Sequence, residues 1–498
     1  MTTVSSSSSR PHDRAGNWPV WLILAVTTLC SVGAYLLVSA IKYRIGFPLD
    51  DAWIHQTYAR NLALRHEWAF IPGKPSGGST APLWSALLAV GFLIHLAPYA
   101  WTYLLGGAAL WGLAMLGEKM VRGLVPTYRP PFPWVGAALI LEWHLVWAAA
   151  SGMETLLYAL LVTAALALII SNSRKNFFLG LLIGLSVWVR PDGITLLGPA
   201  ILAAWLCRPT WSKRVQALVN LGLGFGSPFA LYLLFNLVIS HQPWPNTFYA
   251  KQAEYAVLLS TPFLERWWNE ALPMLTGAGV VLLPGVVLAV VSAIRRKAWG
   301  VLAAVIWLVG FLAIYAWFLP VTYQHGRYIM PVMPIFIVLG LVGLVEYGSH
   351  ARSWFLASFW RVASTAVLVV FWGVGAFTYA QDVAVIESEM VATAKWVSMN
   401  VPPETLVAAH DIGALGYFGK HELVDLAGLI SPEVIPFLRD ETRLAAYMTS
   451  RRVGYLVAFP DWYPTLTSHL QRVFTTGGQF APVQGGTNMA VYRLPEPK

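Results

Sequence analysis

The sequence predicts a polytopic α-helical membrane protein of about 11 spans, with interfacial helices in its first outer loop and a small C-terminal α/β domain outside the membrane. Three observations predict this. Of the 498 residues, 57% are hydrophobic and only 11% are charged, against about 25% charged residues in soluble domains. Runs of about 20 apolar residues, the length that crosses a hydrocarbon core, recur along most of the chain. From Gln381 onward the apolar runs shorten, and 9 Lys/Arg stand against 12 Asp/Glu where the preceding residues hold 24 against 12.

In chain order, residues 1–17 are Ser-rich and polar and read as a disordered cytoplasmic tail. The run Trp18–Ile41 is too long for a signal-peptide core and has no small-residue cleavage pattern behind it, so it reads as a retained span. Further spans run roughly Tyr99–Glu118, Pro133–Ala150, Glu154–Ile170, Phe177–Val189, Gly193–Cys207, Val215–Ser240, Ala271–Ile294, Trp299–Leu319, Tyr328–Tyr347 and Val362–Tyr379. Residues 18–380 thus form the transmembrane domain and 381–498 the outer one. Pro82–Leu96 is also apolar. Read as an outer-surface or re-entrant helix, it leaves Lys119, Arg122 and Arg129 on the inside.

The cationic clusters then fall in alternate loops: Arg10/Arg14, Lys119/Arg122/Arg129, Arg174/Lys175, Arg208/Lys213/Arg214, Arg295/Arg296/Lys297 and Arg352/Arg361. The positive-inside rule places these in the cytoplasm. The expected setting is a plasma (inner) membrane, with the N-terminus cytoplasmic and the C-terminal domain extracytoplasmic. The net charge of +9 sits in these short loops, which argues for membrane lipids and against nucleic acid as a partner. Cys30 and Cys207 fall inside spans and imply neither a disulfide framework nor a thiolate metal site. The outer segment reads as strands at Thr405–Ala409, Leu423–Asp425, Val453–Ala458 and Ala490–Leu494, with helices Asp382–Met399 and Arg439–Ser450.

The outer loops carry a different class of residue. Asp50-Asp51 follows the first span and opens a helix-like segment, Ala52–Glu67. A carboxylate at the water–lipid boundary can serve as a general base, and an Asp at this position can equally cap the helix. Ile54, Tyr58 and Leu62 share one face of that segment, which reads as an interfacial amphipathic helix. Residues 72–80 are rich in Pro, Gly, Ser and Thr and form a loop with many backbone donors. Arg190-Pro191-Asp192-Gly193 makes a turn at the outer rim, in which Arg190 and Asp192 can pair with each other or with a ligand. Lys251, His325 and Arg327 are scarce outer-side cations suited to an anionic headgroup. Glu142 and His144 lie inside a span, where ionisable groups mark either function or a buried pair. Glu154 opens the next span. Trp53, Trp84 and Trp244 stand close to these motifs.

Together, Asp50-Asp51-Ala52-Trp53-Ile54, Tyr58-Ala59-Arg60-Asn61-Leu62, Pro72-Gly73 and Ser79–Trp84 resemble the first outer loop of the GT-C glycosyltransferases, most of all the bacterial arabinofuranosyltransferase-like branch. Ser151–Thr155, Arg190–Gly193 and Pro245–Lys251 are similar to further blocks of that branch, and the resemblance covers roughly residues 40–330. It implies an inverting transfer of a sugar from a polyprenyl-phosphate donor to a glycan, lipid or protein acceptor on the outer face. It places the catalytic base at Asp50 or Asp51 and the donor phosphate at Lys251, Arg327 and His325. Arg190, Asp192, Glu154, Tyr58, Asn246 and Tyr249 stand as candidate substrate contacts. No cofactor is required. Some members of the superfamily use a divalent cation, for which Asp51, Asp192 and Glu154 offer oxygens, but no dedicated metal site is visible. The alternative, a transporter or flippase for a lipid-linked sugar, calls for repeated halves, and the sequence has no internal repeat.

Overall fold

The computed structural model describes residues 19–350 and 354–495. The expected N-terminal tail lies outside these, as do Arg10, Arg14, Arg352 and Lys498. Helix α1 (Val20–Lys42) is followed by the first outer segment. This contains α2 (Asp51–Arg65), a short ribbon of β1 (Ala69–Ile71) and β2 (Lys74–Pro75), and α3 (Pro82–Leu93). Next come α4 (Pro98–Leu124), α5 (Trp134–Leu141), α6 (Trp143–Ala150), α7 (Thr155–Ile170), α8 (Asn176–Val189), α9 (Leu197–Cys207) and α10 (Trp211–Ser240). The second half holds α11 (Asn246–Glu254), α12 (Phe263–Leu275), α13 (Ala278–Arg295), α14 (Trp299–Phe318), the helical turn α15 (Tyr323–Gly326), α16 (Met333–His350) and α17 (Trp354–Ile386).

Each expected span is occupied by helix. Seven described helices are long and apolar enough to cross a membrane, while α7, α8 and α9 are shorter apolar helices. The protein is a multi-pass membrane protein. The bundle packs through small residues, as membrane helices do where backbones approach closely. A Cβ added at Gly343 of α16 would lie 1.9 Å from the carbonyl oxygen of Gly285 in α13.

Three local expectations need correction. Pro133–Ala150 is two helices, not one, because the Glu142 carboxylate accepts the Leu145 N–H (2.9 Å) and starts α6 anew as its N-cap. The same carboxylate lies 2.7 Å from His144 Nδ1, a buried pair that shapes the chain. Ala271–Ile294 is likewise divided, with Gly277 at φ 82° separating amphipathic α12 from α13. Finally, α2 is enclosed rather than half-immersed: Ala52–Ala59, Asn61 and Ala63 are all buried. It is covered by α3 on one side and by the C-terminal domain on the other. Among its polar side chains, Gln56 donates to Thr102 Oγ1 (2.7 Å) and Asn61 to the Ala69 carbonyl (2.8 Å).

Helix α17 continues through a π-helical turn, Glu387–Val391, into α18 (Ala392–Asn400), so the C-terminal domain is joined to the bundle by helix. The domain contains β3 (Val407–Ala409), α19 (Gly413–Phe418), β4 (Leu423–Asp425), α20 (Glu441–Ser450), β5 (Tyr455–Ala458), α21 (Pro464–Ser468), β6 (Gln471–Thr475), α22 (Phe480–Val483) and β7 (Ala490–Arg493). The sheet order is β4-β3-β5-β7-β6. Strand β3 runs parallel to β4 and β5, while β7 pairs antiparallel with β5 and β6.

Candidate active site

Two cavities meet at Asp51. The larger, about 650 Å³, lies between the start of α2 and the C-terminal domain. The smaller, about 330 Å³, lies between the Arg190–Thr195 turn, α11 and the end of α14. Asp51, Lys251 and Arg327 line both.

The aspartate pair divides its work. Asp50 stands at the N-cap position of α2 but makes no side-chain cap bond there. Instead its buried carboxylate accepts the backbone N–H groups of Gly413 (2.7 Å) and Ala414 (2.8 Å) at the start of α19. A Cβ at Gly413 would lie 2.1 Å from the Asp50 carbonyl oxygen, so this contact requires glycine. Burial and the neighbouring Asp411 push the Asp50 carboxyl up to about 8, against the pull of the two amides. Asp51 begins α2 and faces both cavities. Arg327 Nη2 donates to its Oδ2 (2.5 Å), and Lys251 Nζ lies 4.0 Å from the same oxygen. Burial opposes ionisation of Asp51, but Arg327 and Lys251 outweigh it and hold the carboxyl well below the usual range.

Tyr328 ties these cations together, accepting from Lys251 Nζ (2.9 Å) and Arg327 Nη2 (3.2 Å). Arg327 is buried, and its Nε and Nη1 have no hydrogen-bond partner among the described residues. They are strong donors suited to an anion. Behind them sits a second network. Arg190 donates to Glu154 Oε1 (3.1 Å), to Tyr315 Oη (2.9 Å) and to Asp192 Oδ1 (3.3 Å), while Tyr315 donates to Asp192 Oδ2 (2.7 Å). The local Arg190–Asp192 pair is present and also reaches Glu154, whose Oε2 lies 3.4 Å from His55 Nε2.

The structure thus brings Asp51, Lys251, Arg327, Arg190, Asp192 and Glu154 around one space. Other candidates lie elsewhere. His325 Nε2 pairs with Asp382 (2.8 Å), packed against Trp143 and Trp147, and lines neither cavity. Tyr58 holds the loop after β2, bonding to Ser76 Oγ (2.7 Å) and accepting the Gly78 N–H (2.9 Å). Asn246 donates its backbone N–H to the Gly77 carbonyl (3.2 Å), and Tyr249 packs edge-on against Phe248. Of the three tryptophans near the motifs, Trp244 lines the smaller cavity, Trp84 bonds the Gly152 carbonyl (3.0 Å), and Trp53 packs among Phe47, Tyr99, Tyr417 and Phe418.

Sequence reasoning missed Gln324, Glu254, His410 and Asp411, all of which line the larger cavity. Their nearest sequence signal was position, since His410-Asp411 directly follows the predicted strand Thr405–Ala409.

Among the described residues no three His, Cys, Asp or Glu side chains converge to hold a metal ion. The three carboxylates that offered oxygens, Asp51, Asp192 and Glu154, are each engaged by a guanidinium group. So engaged, they offer no open cluster of oxygens for a divalent cation.

The fold is matched by known structures. ArnT from Cupriavidus metallidurans bound to undecaprenyl phosphate is 14% identical, with 95% of this chain and 98% of that one covered at a TM-score of 0.51. The same protein in the apo state gives 15%, 95%, 97% and 0.52. The Archaeoglobus fulgidus oligosaccharyltransferase in the apo form is 12% identical, with 96% and 74% covered at 0.59. The chain has the GT-C fold. Residues 376–492 match a family model described as a domain of unknown function, DUF8728. No curated protein matches the chain in sequence.

Proposed function

We propose that this GT-C protein is an inverting glycosyltransferase that moves a sugar from a polyprenyl-phosphate donor to an acceptor hydroxyl on the outer face of the inner membrane. The observation that carries this reading is Asp51, shared by two unlike cavities and paired with a buried arginine that has two donors left over. The smaller cavity has an apolar wall of Trp244, Phe248, Ile314, Phe318 and Leu319. Phe318 is 55% exposed on the bundle flank, which suits the entry of a polyprenyl chain from the lipid. Arg327 and Lys251 stand where that wall meets water and would hold the phosphate. The same apolar-tail and phosphate chemistry is carried by the undecaprenyl phosphate bound to ArnT.

In the proposed reaction the acceptor hydroxyl attacks the anomeric carbon, Asp51 takes its proton, and the bond from that carbon to the phosphate oxygen breaks. The charge arriving on the leaving phosphate is met by Arg327 and Lys251. The phosphate also competes with Asp51 for these cations. Donor binding therefore weakens their hold on the carboxylate and raises its basicity at the moment it is needed. Arg190 with Asp192 and Glu154 positions the donor sugar. The reaction draws on side chains alone, without a resident cofactor.

The proposed orientation has a cytoplasmic N-terminus and an outer C-terminal domain. It is supported by the clustering of inner-loop cations, where Arg208 bonds Asn172 and Ser173, and Arg296 bonds Glu346. The deciding experiment is transfer by the purified protein from a panel of polyprenyl-phosphate sugars. Product formation that disappears in Asp51→Asn supports the reading, and activity that survives that change ends the base assignment.

A further inference from the structure

We propose that the C-terminal domain, which matches a family model of unknown function, is the acceptor-binding half of the site, and that the larger cavity takes an uncharged saccharide chain. This rests on the glycosyltransferase reading above and specifies its acceptor.

The first support is topological. Parallel strands bind ligands beyond their carboxyl ends, and the three parallel strands of this domain present those ends to the cavity. His410-Asp411 follows β3, Ala427 and Leu429 follow β4, and Asp461-Trp462-Tyr463 follows β5.

The second is the chemistry of the wall. Two buried oxygens, Gln324 Oε1 and Asp411 Oδ2, have no hydrogen-bond partner among the described residues. Both are acceptors, so the matching ligand donates, as hydroxyl groups do. Gln324 is held for this in an uncommon backbone state. It and His325 have φ of 55° and 59°, followed by Gly326 at 66°, a strained run beside Asp51 of the kind that clusters at functional sites.

The third is charge. Glu254, Asp411, Glu441 and Asp461 line the cavity together with Asp50 and Asp51. Against these carboxylates the cavity sets three permanent cations, Arg327, Lys251 and Arg439, and the His410 imidazole, which lies 3.3 Å from Glu254. Carboxylates outnumber cations here, so an anionic acceptor would meet net repulsion, whereas in the smaller cavity Arg190, Arg327 and Lys251 balance Asp51, Glu154 and Asp192. Trp462 (48% exposed) and Tyr323 (41% exposed) add open aromatic faces for the C–H face of a sugar ring.

The test measures equilibrium binding to the detergent-purified full chain. The probes are neutral gluco-, manno-, galacto- and arabino-tetrasaccharides, with a sequon-containing peptide as the competing acceptor class and undecaprenyl phosphate as the donor-site control. At least one tetrasaccharide is expected to bind. Trp462→Ala and Asp411→Ala should each weaken it by at least about tenfold while undecaprenyl phosphate binding is unchanged. Trp462 is exposed enough to be truncated without unfolding the domain. The proposal is overturned if no tetrasaccharide binds the wild-type chain, whether or not the peptide does, or if both variants bind saccharide as the wild type does. Failure of the underlying glycosyltransferase reading shows separately, as undecaprenyl phosphate that does not bind or that Arg327→Ala leaves unaffected.

Discussion

The two cavities that share Asp51 are made of different materials. One is walled by apolar residues of the bundle and furnished with guanidinium and ammonium groups. The other is roofed by the C-terminal domain and lined with carboxylates and hydrogen-bond acceptors. The balance of charge therefore shifts from even in the smaller cavity to acidic in the larger one across Asp51. On the proposed reading, an anion with a greasy tail belongs on one side and a polyhydroxylated partner on the other, with Asp51 as proton acceptor at their boundary.

The sharpest way to break this comparison is to substitute the two aspartates separately. Asp51→Asn should fold normally and lose at least about a thousandfold in transfer rate, the scale of a lost general base compounded by a broken Arg327 contact. Asp50→Asn puts an amide against the N–H groups of Gly413 and Ala414 and should destabilise the fold by about 1–3 kcal/mol, seen as a lower Tm. Equal kinetic losses with unchanged Tm in both would show that the pair is not divided. Next in size, Arg327→Ala should cost about a hundredfold, with the loss falling on donor rather than acceptor parameters. His325→Ala, on the far side of its Asp382 contact, should leave the donor dependence alone.

A third prediction concerns pH. Burial alone would lower the His410 pKa, but Glu254 and Asp411 outweigh it and raise it. Burial likewise opposes the charge of Glu254, and His410 outweighs it and lowers the pKa. The His410 contribution to docking is complete below about pH 6.5, the ordinary histidine value, and is lost as pH rises through the raised one. The Glu254 contribution is present above its ordinary value of 4.5 and is lost as pH falls through the lowered one. Asp411, raised chiefly by burial to about 6, acts in the same direction as His410 because its ionisation is disfavoured in the folded state. Amide protection factors in the C-terminal domain, taken relative to the base-catalysed intrinsic rate, should therefore fall as pH rises through the raised His410 value, and His410→Ala should flatten that dependence. The smallest effect is topological. In a Cys30→Ser, Cys207→Ser background, cysteines at Gln242 and Glu404 should label from the outer side and one at Lys119 from the inner side, each with little loss of function.

The bundle and the cationic half of the site were legible in the sequence because a membrane makes charge rare. When few polar residues are tolerated, Asp51, Lys251, Arg190 and Arg327 stand out. The other half was hidden for the opposite reason. In a water-facing domain, His410, Asp411 and Glu254 are ordinary polar residues, and only the fold brings them to one cavity. His325 was misplaced because a scarce outer-side cation looks the same in sequence whether it faces a ligand or, as here, a carboxylate on α17. The break at Glu142 was invisible because its flanking residues are as apolar as those of any span.

The π-helical turn at Glu387–Val391 is anchored on both sides. Glu387 accepts from Tyr99 (2.8 Å) in the bundle, and Glu389 accepts from Asn488 (2.9 Å) and the Met489 N–H (2.9 Å) in the sheet. With helix above and below it, the C-terminal domain is mounted on a braced post instead of hanging from a tether. A tethered roof would select its ligand by closing on it. A braced one works as a fixed gauge, admitting chains whose width matches a gap already cut, so acceptor preference should respond to changes at this joint, far from any atom that reacts.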